Sequence, residues 1–197
     1  MIPSFKIFSN INPILIFILA PIVADGDRVW MYDDGLDQVT ILFSDIVGFT
    51  QMSSGLPPEQ VIDLLDDLFR HLDELVDEYE LEKIKTIGDA YMVVGGLPPH
   101  TDDHLARVAS MALDLNDIME RRADTHPIKM RIGVHAGPAV AGVIGSKKFI
   151  YDVWGDTVNT ASRLEAHGLP DRIQVTDAVQ QRLADRFVFE PRGTVDL

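Results

Sequence analysis

The run Val39-Thr-Ile-Leu-Phe-Ser-Asp-Ile-Val-Gly-Phe-Thr50 limits what this chain can fold into more than any other stretch. Residues 39–46 read as a strongly apolar strand with one carboxylate, Asp45, at its end. Gly48 then makes a turn, and the chain enters a helix. A carboxylate at the mouth of an apolar strand costs several kcal/mol to desolvate unless a cation or hydrogen-bond donors meet it. Asp45 therefore needs partners.

Around that strand the periodicity lays out a domain. Residues 57–79 carry Leu64, Leu68, Leu72, Leu75 and Val76 at helical spacing, with Asp and Glu filling the other face. Pro57-Pro58-Glu59 suits the first turn of that helix. Residues 81–87 and 91–95 alternate as two strands joined at Gly88-Asp89, a tight turn of the hairpin kind. Residues 104–122 form a second long helix, 128–137 a fourth strand and 140–144 a glycine-flanked fifth. A short helix over 157–166 closes at Gly168, with Asp156 or Thr157 able to cap its start. Residues 173–175, a brief helix near 178–183 and residues 187–190 follow. The order β-α-β-β-α-β is the ferredoxin-like split motif, an α+β fold with added α/β elements at its C-terminal end.

Residues 1–36 are set apart as an apolar segment and linker, which leaves 37–197 as the main domain. Residues 11–24 are nearly all apolar but interrupted by Pro13 and Pro21, and shorter than the ~20 residues a spanning helix needs. Lys6 alone makes a poor positive region for a signal peptide. A connecting segment, the remnant of a membrane or signalling helix, and a signal sequence all stay open. The formal net charge of −14 argues against a nucleic-acid partner, because binding a phosphate backbone needs a positive face. It does not argue against a small phosphorylated ligand that brings divalent cations, since those are drawn to carboxylates. The absence of cysteine excludes thiolate chemistry and fits a reducing, cytoplasmic compartment. Membrane attachment through a longer parent chain is left open.

Asp89, in the hairpin turn, is the obvious partner for Asp45. In the split motif the end of the first strand and the turn between the second and third can share one edge. Two carboxylates held there repel unless a cation lies between them. With the backbone carbonyl of Ile46 and substrate phosphates, they would make a Mg²⁺ or Mn²⁺ ligand set. The plainer alternative is that Asp89 supplies turn chemistry.

Lys85 lies in a strand whose alternation puts it with Ile87 on one face and Ile84 with Thr86 on the other. It is either a solvent-face charge or, with Asp152, the donor and acceptor that read adenine. Asn159 and Arg163, four apart, share a helix face and could hold a ribose oxygen and a phosphate. Local bonding on a surface helix is the alternative. The glycine-rich run Gly133, Gly137, Gly142 and Gly145 lacks the pattern of a phosphate cradle and reads as turns or close packing. His135 reads as structural or interfacial. His100, His104, Asp102 and Asp103 open a helix rather than forming a metal cluster.

Four motifs then resemble one family. They are Phe43-Ser-Asp-Ile-Val-Gly-Phe-Thr50, Lys83-Ile-Lys-Thr-Ile-Gly-Asp-Ala-Tyr-Met92, Gly133-Val-His-Ala-Gly137 and Tyr151-Asp-Val-Trp-Gly-Asp-Thr-Val-Asn-Thr-Ala-Ser-Arg163. Their order and spacing are similar to the class III nucleotidyl cyclase catalytic domain. The resemblance implies cyclisation of a nucleoside triphosphate to a 3′,5′-cyclic monophosphate with release of pyrophosphate. It implies two divalent cations, Mg²⁺ or Mn²⁺, on Asp45, Asp89 and the Ile46 carbonyl. It implies Asn159 orienting the ribose and Arg163 stabilising charge at the α-phosphate. Lys85 and Asp152 match the family's adenine-reading pair, so ATP is the expected substrate and adenylyl cyclase the expected activity. Phe49 and Thr50, at the end of the first motif, are expected substrate contacts. In this family the active site is shared between two chains, which implies a head-to-tail homodimer.

One departure stands out. The family continues after Arg-Gly with a Lys-Gly-Lys-Gly turn and a last strand, whereas here the sequence reads Arg192-Gly-Thr-Val-Asp-Leu197. The expectation is a catalytic domain without the usual C-terminal end, and weakened triphosphate binding. Guanylyl or dual specificity, and a catalytically weak nucleotide-binding regulatory module, are the competing readings.

Overall fold

The computed structural model describes residues 36–98, 102–122, 128–144 and 150–195. The N-terminal segment 1–35, His100, Gly145 and the last two residues lie outside the described residues.

Strand β1, Leu36–Ile46, is the centre of the molecule. Its alternation sorts the core into two halves. Leu42 and Ile46 join a cluster on one face, and Val39, Ile41 and Phe43 join a second cluster on the other. After the left-handed Gly48, helix α1, Phe49–Ser53, makes little more than one turn. Helix α2, Pro58–Glu78, starts on a proline and buries Leu68, Leu72, Leu75 and Val76.

The hairpin follows as β2, Glu82–Ile87, and β3, Ala90–Gly95, turned by Gly88 at φ +65°. Helix α3, His104–Arg122, packs beside α2 over the first cluster. Its Leu105 and Ala106 meet Val179 and Leu183 in a third small cluster. With β4, Met130–Ile144, the sheet runs β2-β3-β1-β4, each neighbour antiparallel, which is the expected ferredoxin-like order.

The largest departure from the sequence reading is strand β4. The expected break at Gly137, with a separate strand over 140–144, does not occur. One strand, Met130–Ile144, passes straight through Pro138. A proline inside a strand cannot donate to the ladder. Here it lies by the register shift between the Val39–Gly137 and Leu36–Ala139 pairs, where β4 leaves β1. Beyond that point β4 pairs with β5, Ile150–Trp154, a strand not foreseen as such. The β4–β5 hairpin brings β5 against β2.

Helix α4, Asp156–Ala166, then lies across β4 and β1 on the face opposite α2 and α3. Its start is Gly155, without a side-chain cap. Thr157, a foreseen cap, instead donates to the Pro138 carbonyl at 2.5 Å. Strand β6, Arg172–Val175, adds to β4 in parallel, and α5, Asp177–Leu183, follows. Residues 187–190 form neither helix nor strand. Phe187 and Phe189 pack against the third cluster.

Candidate functional site

The end of β1 and the hairpin turn do share one edge. Ser44 faces Tyr91 across the antiparallel pair, so Asp45 falls beside Ala90 and the Gly88-Asp89 turn. The Asp45 and Asp89 side chains lie close enough for each to disfavour the other's negative charge. Burial, then the neighbouring Asp45, push the Asp89 carboxyl up to about 6, while the backbone amides of Asp89 and Ile46 pull it down. Two neighbouring carboxylates that disfavour each other's charge fit a site for a divalent cation. Hard oxygen donors of this kind suit Mg²⁺ or Mn²⁺. Among the described residues no three His, Asp or Glu side chains are grouped so that they could hold a metal ion.

Two residues missed in the sequence complete this cluster. Arg131 sits opposite Asp45 in the β1–β4 register, and its Nη2 donates to Asp45 Oδ2 at 2.7 Å. Its Nε lies 3.0 Å from Oε1 of Glu165, a residue of α4 only 8% exposed. That contact is a charge attraction rather than a finished bond. The N–H does not point at the oxygen, and Nε and Oε1 are both buried without a hydrogen-bond partner. Burial would lower the Arg131 guanidinium, but the Asp45 bond and the Glu165 charge outweigh it and raise it. Burial and the Asp45 charge push the Glu165 carboxyl up to about 7 against the pull of Arg131.

The sequence carried a signal for both. Arg131 is a charge inside an apolar strand, as Asp45 is. Glu165 falls on the stripe of Ala161 and Leu164 that faces the sheet.

A second pair forms at β2 and β5. Lys85 Nζ lies 2.5 Å from Asp152 Oδ2, and the other Asp152 oxygen accepts the Val153 amide at 2.8 Å. The sequence alternation misplaced the neighbours of Lys85. Lys83 pairs with Val93 and Lys85 with Met92, so Ile84 is an extra, bulged residue. A bulge turns successive side chains toward one face. Ile84 and Lys85 therefore both point to the β5 side, where Ile84 packs against the second cluster. Lys83 goes to the helix side, bonded to Asp73 at 2.6 Å and over the Tyr91 ring.

Asn159 and Arg163 share a face, as their spacing requires, and both are exposed. The inward face of α4 is Thr157, Ala161, Leu164 and Glu165, so this pair points away from the Asp45 cluster. No hydrogen bond or ion pair joins either side chain to another described residue. Phe49 packs against the helix-side core, and Thr50 is exposed with its carbonyl accepting from Ser53 and Ser54.

Gly133 and Gly137 prove to be close-packing positions. A Cβ at Gly133 would meet the Glu165 nitrogen at 2.3 Å, and one at Gly137 the Thr157 hydroxyl at 2.7 Å. His135 is bonded to Thr176 at 2.9 Å, and burial lowers it. His104 is buried against Thr40, and Asp103 pairs with Arg186, so neither faces a metal site.

The family model described as the adenylate and guanylate cyclase catalytic domain matches residues 31–197. An adenylate cyclase of Mycobacterium tuberculosis (strain ATCC 25618 / H37Rv) is 46% identical over 166 residues, covering 83% of this chain and 38% of that protein. The receptor-type guanylate cyclase gcy-28 of Caenorhabditis elegans is 44% identical over 198 residues, 95% of this chain and 15% of that protein. The chain therefore spans well under two thirds of either relative. Among solved structures, the catalytic core of a rhodopsin-guanylyl cyclase with converted specificity, in complex with ATPαS, superposes with a TM-score of 0.79 at 35% identity. That match covers 85% of this chain and 92% of that one. The adenylyl cyclase CyaB from P. aeruginosa gives 0.76 at 27% identity, covering 82% and 87%.

Proposed function

The chain belongs to the adenylate and guanylate cyclase catalytic domain family, and on that premise we propose that residues 37–197 convert ATP to 3′,5′-cyclic AMP and pyrophosphate. The observation that carries this reading is the placement of Asp45 beside Asp89 at the end of β1, where each carboxylate bears on the other's charge. Those two carboxylates, with the Ile46 carbonyl, would hold two divalent cations, Mg²⁺ or Mn²⁺. Bound there, such cations supply the positive charge that favours ionisation of the ribose 3′-hydroxyl and offsets the triphosphate.

The chain's own side chains do the rest. Lys85 donates to adenine and Asp152 accepts from it. Their 2.5 Å bond fixes both at the spacing of neighbouring hydrogen-bonding positions on one base edge. A base lacking that pattern would leave a half-buried ammonium or carboxylate unpaired, which is a strong source of discrimination. Phe49 and Thr50 lie along the substrate. Asn159 orients the ribose, and the Arg163 guanidinium stabilises the charge that develops at the α-phosphate.

Asn159 and Arg163 face outward from α4, away from the cation cluster of their own copy. That orientation supports a head-to-tail homodimer in which each site takes its carboxylates from one chain and Asn159, Arg163, Lys85 and Asp152 from the other.

A GTP-specific reading is favoured by one observation, the 44% identity to a receptor-type guanylate cyclase over 95% of the chain. One assay separates the two. Purified chain with Mn²⁺ is given ATP and GTP in parallel, and both cyclic products are quantified. Cyclic AMP in excess is the expected result, and cyclic GMP in excess would overturn the role given to Lys85 and Asp152. Calorimetric binding of ATP without either product would make the chain a nucleotide-binding module instead. The shared site is tested by mixing Asp45→Ala chains with Arg163→Ala chains. Each is inactive alone, and the mixture regains activity through one intact site per mixed dimer.

A further inference from the structure

The guanidinium of Arg131 occupies a place that the cation would need. It is bonded to Asp45 Oδ2 at 2.7 Å, so one oxygen of that carboxylate is already taken. On its other side it approaches Glu165 at 3.0 Å without completing a hydrogen bond, and the facing atoms Nε and Oε1 are buried and unpartnered. Leaving a buried donor and acceptor unmade is costly. A small turn of Arg131 away from Asp45 would join them and recover that loss.

The two ends of the contact differ in freedom. Arg131 has a long unbranched stem. The Glu165 backbone is pressed onto Gly133, where no Cβ could fit, so Glu165 is the fixed member. A dication placed on Asp45 would repel a guanidinium at contact distance. Among the described residues, the only carboxylate touching Arg131 besides Asp45 is Glu165.

We propose that Arg131 is a resident cation on Asp45 that a divalent metal displaces, and that Glu165 is the positioning residue that receives it. This rests on the reading of Asp45 as a metal ligand. Arg131 and metal then compete for one oxygen, and Glu165 weights the competition toward metal. Without Glu165 the guanidinium has nowhere to go and stays on Asp45.

The test is Mn²⁺ binding to nucleotide-free full chain, followed by calorimetry and by the metal-induced rise in Tm. Arg131→Gln removes the competitor and should tighten Mn²⁺ binding by about fivefold, the scale of a partly exposed ion pair. Glu165→Gln should weaken it by about as much. The double variant should bind like Arg131→Gln alone, because Glu165 acts only through Arg131. A purely structural pair would instead lower Tm in both single variants and leave the Mn²⁺ affinity where it was. Unchanged or weaker binding by Arg131→Gln overturns the proposal, as does strict additivity in the double variant. Should Glu165→Gln fail to fold, Glu165→Asp replaces it, and the shorter carboxylate must weaken Mn²⁺ binding while Arg131→Gln in the same chain restores it. Asp45→Asn separates the two layers. If that variant still binds Mn²⁺ normally, the metal reading itself fails. If it loses Mn²⁺ while Arg131→Gln shows no gain, only the displacement idea fails.

Discussion

Two charged groups of this molecule, the Asp45 cluster and the Lys85–Asp152 pair, are built from similar parts and balanced differently. Lys85 and Asp152 are one cation and one anion in direct contact, and their charge closes on itself. Around Asp45 the guanidinium of Arg131 meets two carboxylates, Asp45 and Glu165, and Asp89 adds a third negative group beside Asp45. A balanced pair can sit at rest and offer a donor and an acceptor to a neutral base. An unbalanced cluster raises Asp89 and Glu165 and is completed by added positive charge. The difference is the one expected if, as proposed, one group serves recognition and the other cation-assisted chemistry.

The contrast can be broken most severely at the aspartates. Asp45→Ala or Asp89→Ala should cut cyclic-nucleotide formation by at least about 10²-fold, the loss that follows removal of a main charge-stabilising group, and should abolish the rise in Tm on adding Mn²⁺. Retained turnover in a product assay would show that the imbalance serves no catalytic purpose.

Lys85→Ala attacks the balanced side. It should lower kcat/KM for ATP by about 10- to 100-fold and leave the Mn²⁺-induced rise in Tm as it is. Equal loss of Mn²⁺ response would mean that the two groups are not separable.

The pH dependence sharpens the comparison more gently. Asp89 is pushed up to about 6 and Glu165 to about 7, above their ordinary values near 4. Groups raised in the folded state add stability that is full below the ordinary value and lost as pH rises through the folded one. The Tm of the metal-free protein should therefore fall from about pH 4.5 to pH 7, and Glu165→Gln should flatten the upper part of that fall. A Tm that rises across this window would contradict the assigned signs.

The smallest effect is expected next to Asp45 on the strand's other face. The Ser44 hydroxyl is fully buried and unpartnered, so Ser44→Ala should shift stability by less than about 1 kcal/mol, with a gain more natural than a loss. Denaturant unfolding measures it.

The sequence made the skeleton legible because its signals are local. Alternation and helical spacing mark β1, α2 and α3, and the Gly-Asp turn places Asp89 at the end of β1. What escaped depends on long-range or irregular geometry. Pro138 looks like a strand end, yet its missing donor falls where β4 is changing partners. The Ile84 bulge cannot be read from alternation, because the insertion is defined only against β3. Arg131 meets Asp45 across 86 residues, and only the β1–β4 register selects it among the chain's cations. Glu165 is found only when α4 is known to lie on the sheet with that stripe inward.

The space below α4 is set by an absent methyl group. At Gly133 the helix backbone comes within 2.3–2.5 Å of where a Cβ would stand, so the seating depth of the whole helix is fixed by hydrogen at one position. Glu165 hangs from the underside of that helix, while Asn159 and Arg163 stand on its outer side. Raising the helix by the width of one carbon would shift all three together, like a keyboard lifted from its bed. Mechanical tolerance at one glycine thus governs both what lies beneath the helix, beside Asp45, and what stands on its exposed side.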